Sequence, residues 1–258
     1  MAVFDRIRAV LFDMGDTLVE YPLPGWPVLM GRAADALYAA VVRPPEEHLP
    51  PAADLPPPRE ASARRSRAGP ETALLHRATV GLRRVIRAAS GRTLPHLAEA
   101  CARAVLAEGR LYDDTLEVLR TLRGRGYRLG LVSNTPWGSP DYLWEKQVSR
   151  FGLTEFFGVR VFSSGIGFRK PDPRIFLAAL ARLRSGSEET LFVGDNPVKD
   201  IAAARRLGMR TAWIVRRHPR HRVHGAPADV WVRSLAELLD HLPGPGTAMS
   251  NAQQGTAE

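Results

Sequence analysis

Four short segments carry residue types that can do chemistry together. Phe12-Asp13-Met14-Gly15-Asp16-Thr17-Leu18 brings two carboxylates into a turn directly after a short apolar run. Leu131-Val132-Ser133-Asn134-Thr135 delivers a hydroxyl and an amide at the end of a second run. Gly167-Phe168-Arg169-Lys170-Pro171-Asp172-Pro173 holds an ammonium just ahead of a stiff turn. Val193-Gly194-Asp195-Asn196-Pro197-Val198-Lys199-Asp200 ends a further run on one carboxylate and supplies another shortly after it. Taken singly, each has a plain structural explanation. Asp, Gly, Ser and Asn are common in turns and caps for backbone reasons, and one lysine is ordinarily solvated. Taken together they suit a phosphate ester and Mg²⁺. Carboxylate oxygens are hard ligands, and Mg²⁺ usually takes only one or two of them, keeping water and substrate oxygens for the rest. A hydroxyl and an ammonium can hold phosphate oxygens and offset charge at the transferring group.

The elements that must position these residues are legible from apolar patterning. Short buried strands are expected at Ala9–Phe12, Arg128–Val132, Val159–Phe162, Leu191–Val193 and Thr211–Val215, with an edge strand at Val230–Val232. Helical faces fall between them: Leu116, Leu119 and Leu122; then Ile175, Phe176, Ala179, Leu180 and Leu183 after an Asp172-Pro173 start; then Ile201, Ala204 and Leu207, closed by Gly208; and last Leu235, Leu238 and Leu239. Alternating strands and helices predict an α/β fold with a doubly wound parallel sheet. In such a sheet the carboxyl ends of the strands share one rim, where ligands bind. Asp13, Ser133 and Asp195 all fall at expected carboxyl ends, and Lys170 follows a short loop after another.

One region breaks the alternation. From about Tyr21 to Gly109 the pattern is helical in three places: Ala33 to Val41, Leu75 to Ala89 and Leu97 to Val105. The expected organisation is an α/β core domain built from residues 1–20 and 110–243, with a helical insertion at 21–109. Within the insertion, residues 43–70 are rich in proline and arginine and read as a long loop, because proline removes backbone donors. The polar tail 244–258 is expected to be disordered.

Composition sets the outer limits. The chain has 258 residues, 45% hydrophobic and 24% charged, ordinary for a globular protein. A single cysteine, Cys101, excludes a disulfide framework and a cysteine zinc site. No apolar stretch has the length of a membrane span, and the first ten residues do not read as a signal peptide, so a cytoplasmic location is expected. The formal charge of +9 comes almost wholly from scattered arginines. Two basic clusters, Arg64 to Arg67 and Arg216 to Arg222, lack interleaved aromatics, and this argues against nucleic acid as the partner. The expected partner is a small phosphorylated metabolite, with no membrane, and the expected assembly a monomer or homodimer.

The four segments, in this order and at this spacing, resemble the haloacid dehalogenase (HAD) superfamily of hydrolases, in the subgroup with a helical cap inserted after the first strand. The resemblance runs from about Ala9 to Leu239. It implies a Rossmann-like core and phosphatase chemistry with Mg²⁺ as cofactor. It implies that Asp13 is the nucleophile and forms a phospho-aspartyl intermediate. It implies that Mg²⁺ is held by the side chains of Asp13 and Asp195 and the backbone carbonyl of Gly15, with Asp200 in support. Ser133 and Asn134 would bind the phosphoryl group, and Lys170 would orient the nucleophile and offset its charge. The family's cap chooses the substrate and closes over the site. Tyr21, Trp26, Arg32, Tyr112, Asp113 and Trp137 lie where such contacts could arise.

The sequence departs from the family at one position. Most phosphatases of the family have an aspartate two residues after the nucleophile, which protonates the leaving group and then activates water. Gly15 stands there, and Asp16 follows where glycine is usual. A backbone carbonyl survives this exchange; a proton-transfer carboxyl at residue 15 does not. Three accounts are open: Asp16 reaches the site through a turn altered at Gly15; the substrate has a good leaving group; or turnover is slow and the protein is a phosphate-binding regulator. The dehalogenase branch of the family also lacks that aspartate and needs no metal. It is the alternative reading, against which the acids Asp195 and Asp200 argue.

Overall fold

The structure is a computed structural model that describes residues 4–21, 102–103, 106–135, 139–216 and 228–242. The chain divides into two compact units, Met1–Tyr21 with Gly109–Glu258, and Pro22–Glu108. In the second unit, residues 102–103 and 106–107 are helical, with Ala102 and Leu106 buried. The remaining helical patterns of the insertion, the loop 43–70 and the tail 244–258 lie outside the described residues, as do Trp26, Arg32 and Trp137.

The first unit is built on a six-stranded parallel sheet. Its strands are β1 (Ala9–Phe12), β4 (Arg128–Ser133), β5 (Val159–Phe162), β6 (Thr190–Gly194), β7 (Arg210–Ile214) and β8 (Val230–Val232). Their order across the sheet is β5-β4-β1-β6-β7-β8. The chain therefore winds outward from β1 on one side, crosses over after β5, and winds outward on the other. This is the doubly wound Rossmann-like arrangement, whose crevice opens where the winding reverses, beside β1 and β6. Register is continuous there: Phe12 lies opposite Leu131 of β4 and Val193 of β6. A separate antiparallel pair, β2 (Val19–Glu20) with β3 (Arg110–Leu111), closes the stem where the chain leaves and re-enters the first unit.

Both faces of the sheet are covered, which is why its strands read as continuous apolar runs. Ala9, Leu11, Val132, Val161 and Phe192 pack against Ile175, Phe176, Ala179, Leu180 and Leu183 of α4 (Pro173–Leu183) and the first residues of α5 (Ala203–Arg206). Phe176 meets Phe192 edge to face at 5.1 Å between ring centres, the geometry aromatic quadrupoles prefer. The opposite face buries Val10, Phe12, Leu131, Leu191 and Val193. The helices α1 (Thr115–Gly124), α2 (Asp141–Arg150), the single turns α3 (Ser163–Ile166) and α6 (Leu235–Leu238) complete the unit. The helix at Asp172-Pro173 starts as its sequence dictates: the Asp172 side chain accepts from the Arg174 amide, and Pro173 takes the first position.

One helix differs from expectation. The face Ile201, Ala204 and Leu207 reads as a regular helix, yet Pro197–Ala202 coils as a wider π-helical segment before α5 begins. Two side chains set this geometry. Asn196 caps the Val198 and Lys199 amides, and Asp200 turns back to accept from the Asn196 amide at 3.0 Å. Wider turns of this kind gather at functional positions. Among the described residues, no helix is long and apolar enough to cross a membrane.

Candidate active site

The sheet brings three of the four segments to one rim directly. Asp13 follows β1, Ser133 ends β4 and Asp195 follows β6. Lys170 arrives from the loop between α3 and α4. Its Nζ lies 2.5 Å from Asp13 Oδ1 and 2.7 Å from Asp200 Oδ1, and it also donates to the Val132 carbonyl at 3.0 Å. Asp13, Ser133, Lys170 and Asp200 are all buried. A buried lysine would ordinarily lose its proton to desolvation. Here the Asp13 and Asp200 carboxylates outweigh burial and hold the ammonium above its usual range.

Asp13, Asp195 and Asp200 each offer a carboxylate oxygen, and the three oxygens lie within 4.8 Å of one another. One ammonium faces these three acids. Burial, and then the charges of Asp13, Asp200 and Asp16, push the Asp195 carboxyl upward. Burial also raises Asp200, against the opposing pull of Lys170. Three acids crowded at this depth around one ammonium fit a divalent cation with oxygen ligands. The turn after β1 is compatible with a carbonyl ligand. Its hydrogen bonds among the described residues close on the Met14 and Val19 carbonyls, and none on that of Gly15.

Two glycines shape the cluster by what they lack. A Cβ on Gly194 would stand 2.7 Å from the Cβ, Cγ and Oδ2 of Asp200. Only glycine at the end of β6 lets Asp200 approach the rim. Gly15 is different: a Cβ there meets only the Tyr21 ring, at 3.5 and 3.6 Å, an ordinary contact. The residue in the left-handed region of this turn is Asp16, at φ 56°, a conformation that aspartate tolerates better than most residues. The turn therefore does not use the conformational freedom of Gly15. Asp16 is half-buried and near enough to act on Asp195 electrostatically, but it does not join the three converging acids.

The Asn134 side chain is already occupied. Its Oδ1 accepts from the Lys170 amide at 2.8 Å, and its Nδ2 donates to the Lys170 carbonyl at 3.0 Å. Asn134 thus clamps the backbone of Lys170. Arg169 adds a bond from its guanidinium to the Thr135 carbonyl at 2.5 Å. Two contacts escaped the sequence reading. Thr17 Oγ1 donates to Asp13 Oδ2 at 3.3 Å, and Arg216, read as the start of a basic cluster, is half-buried and pairs with Asp114 at 2.7 Å. A hydroxyl four residues after Asp13 was a signal available for the first; nothing in the sequence marks the second. Tyr112 lies under the Arg216 guanidinium, and Asp113 is exposed.

Known proteins share both the sequence pattern and the fold. The chain is 39% identical over 125 residues to a phosphoserine phosphatase of Thermus thermophilus, covering 47% of this chain and 49% of that one. It is 42% identical over 105 residues to a glyceraldehyde 3-phosphate phosphatase of Methanopyrus kandleri, covering 41% of this chain and 43% of the other. The chain thus spans about half the length of the curated relatives it matches. Among solved structures, a HAD phosphatase from Thermococcus onnurineus superposes with a TM-score of 0.61 at 22% identity, covering 92% of this chain and 99% of that one. Residues 7–208 match the model of haloacid dehalogenase-like hydrolases, and with the rim geometry above this places the chain in that family.

Proposed function

We propose that the protein is a Mg²⁺-dependent phosphatase that hydrolyses a small phosphorylated metabolite through a phospho-aspartyl intermediate on Asp13. The observation that carries this reading is the convergence of Asp13, Asp195 and Asp200, with the Lys170 ammonium paired to Asp13 and Asp200. Asp13, Asp195 and the Gly15 carbonyl would hold Mg²⁺, with Asp200 in support. The ion would supply positive charge to the phosphoryl oxygens and to the nucleophile.

The chain's own groups account for the remaining work. Asp13 attacks phosphorus, the bond to the leaving oxygen breaks, and the phosphoryl group passes to the carboxylate. Lys170 and Thr17 fix the two oxygens of Asp13 beforehand, so little reorganisation is left for the reaction itself. Ser133 and the Asn134 amide hold phosphoryl oxygens, and Lys170 offsets the charge that builds on them. Water then cleaves the acyl phosphate and frees Asp13. With glycine at residue 15, no carboxyl at that position protonates the leaving oxygen. The site accordingly favours substrates whose leaving group departs without that help, such as acyl phosphates or sugar 1-phosphates. Three-carbon phosphomonoesters, the substrate class named for the relatives above, form the other arm of a screen.

The test is phosphate release from a panel of phosphorylated metabolites, measured with Mg²⁺, with EDTA, and with Asp13→Asn. Release that needs Mg²⁺ and disappears in the variant supports the reading. Metal-independent halide release from a 2-haloacid would instead assign the chain to dehalogenation. Ligand binding without product release in a single turnover would make it a phosphate-binding regulator.

A further inference from the structure

Arg216 follows β7 and is the first residue of the basic stretch 216–222, yet only 9% of its side chain is exposed. Its guanidinium grips Asp114 with both ends, Nη1 to Oδ2 at 2.8 Å and Nη2 to Oδ1 at 2.7 Å. The plane lies over the Tyr112 ring, 4.1 Å from its centre. Asp114 is held in turn by the Leu235 amide at 2.7 Å. From this anchored position Nη2 also donates to the Thr17 carbonyl at 3.1 Å.

The same turn is gripped one residue further on. The Leu18 carbonyl accepts from the Tyr112 amide at 3.1 Å and from Thr115 Oγ1 at 3.0 Å. Thr17 in its turn donates its hydroxyl to Asp13 Oδ2 at 3.3 Å. Three segments far apart in sequence thus close on one another: the turn after β1, the stretch that follows β3, and the end of β7. A fork held by a carboxylate on one side and a ring beneath is pre-organised in a way a lysine cannot copy.

We propose that Arg216 is a positioning residue for the nucleophile. It holds the Thr17 carbonyl, and through that turn it sets the orientation of the Asp13 carboxylate. The role rests on the reading of Asp13 as nucleophile, but the geometry it predicts can be read without turnover. An internal ion pair that served only stability would not need to reach a carbonyl of the catalytic turn.

The experiment compares wild type with Arg216→Gln, Arg216→Lys, Thr17→Val and the Arg216→Gln/Thr17→Val double variant. Hydrolysis of p-nitrophenyl phosphate with Mg²⁺ gives kcat and KM, and hydrogen exchange followed by mass spectrometry gives the mobility of residues 13–19. Arg216→Gln is expected to lower kcat about tenfold with KM within about twofold, and the double variant to fall no lower than the worse single. Arg216→Lys should lie between wild type and Arg216→Gln. Exchange across 13–19 should quicken about tenfold in Arg216→Gln while residues 128–133 keep their wild-type rate. Unchanged exchange at 13–19, equal quickening at 128–133, or additive losses in the double variant would each overturn the proposal. Should wild type release no nitrophenol, the phosphatase reading fails on this probe, and the exchange result alone decides whether Arg216 positions the turn.

Discussion

Returning a carboxyl to residue 15 isolates the question of leaving-group protonation. The substitution is Gly15→Asp, and the structure has room for it. The new Cβ would meet only the Tyr21 ring at 3.5 and 3.6 Å, and the left-handed position of the turn belongs to Asp16, not Gly15. Losing a glycine that needs no special conformation favours folding by about 0.4–1 kcal/mol. An added acid near Asp13 works against that, so the melting midpoint should stay within about 4 °C of wild type. The effect on catalysis is larger. General acid help is typically worth about 10²–10⁴-fold, or roughly 3–5 kcal/mol of barrier. An alkoxide needs that proton and a nitrophenolate hardly does. Gly15→Asp should therefore raise kcat on alkyl phosphates by about 10²-fold, and leave p-nitrophenyl phosphate within about twofold. The assay is initial-rate phosphate release across a leaving-group series at saturating Mg²⁺. An equal rise for every leaving group would refute the reasoning. So would an unchanged alkyl phosphate rate accompanied by loss of that rate in Asp16→Asn, because Asp16 would then already be the acid.

Other perturbations address the rest of the site. Lys170→Met removes the one ammonium that faces Asp13 and Asp200; turnover should fall on the order of 10²–10³-fold, and the thermal midpoint should drop more in EDTA than in Mg²⁺, as scanning calorimetry would show. Gly194→Ala puts a methyl 2.7 Å from Asp200, so Asp200 must move; Mg²⁺ half-saturation, read from the metal dependence of the rate, should rise about tenfold, equivalent to roughly 1.4 kcal/mol. The Asp114 pair should leave a mark on acid stability. Burial alone would raise the Asp114 carboxyl, but the hydrogen bonds and charge of Arg216 bring it below its ordinary 3.8. A depressed carboxyl stabilises the fold fully above that ordinary value and loses the contribution as pH falls through the depressed one. Asp114→Asn should therefore be less stable than wild type at neutral pH, with the difference shrinking as pH falls below the ordinary value. A gap that stays constant with pH in thermal melts would show that the charge is not what matters there.

The strands were legible because burial on both faces leaves no choice of residue. Ala9–Phe12 is buried at every position, and such a run bounded by a turn reads directly as a central parallel strand. What escaped the sequence reading was what periodicity cannot encode. The pair Val19–Glu20 and Arg110–Leu111 has two residues per strand, too few for an alternation to appear. The helix Asp141–Arg150 buries Leu143, Trp144, Gln147 and Val148; a glutamine in the apolar face hid the pattern. Pro197–Ala202 carries helical spacing but widens because two polar side chains, Asn196 and Asp200, spend their hydrogen bonds on the local backbone. A hydrophobic pattern reports which face is buried and is silent on such local competition.

At the rim the division runs between residue type and pairing. That acids and an ammonium would gather could be read from the strand ends, because the topology of a parallel sheet sends every carboxyl end to one side. Which groups pair could not. Lys170 meets Asp13 across 157 positions of sequence, and Arg216 meets Asp114 across 102. One of these pairs is flanked by further acids and the other is not, and this difference separates their roles. Arg216 and Asp114 compensate each other and are compatible with stability alone until the bond to the Thr17 carbonyl is added. Lys170 cannot compensate Asp13, Asp195 and Asp200 together, and burial with this crowding pushes the Asp195 and Asp200 carboxyls upward. Burial of unbalanced charge works against folding. A cluster retained against that cost makes physical sense where a divalent cation offsets the carboxylates, and the crowded acids at the ends of β1 and β6 are what support the proposed Mg²⁺.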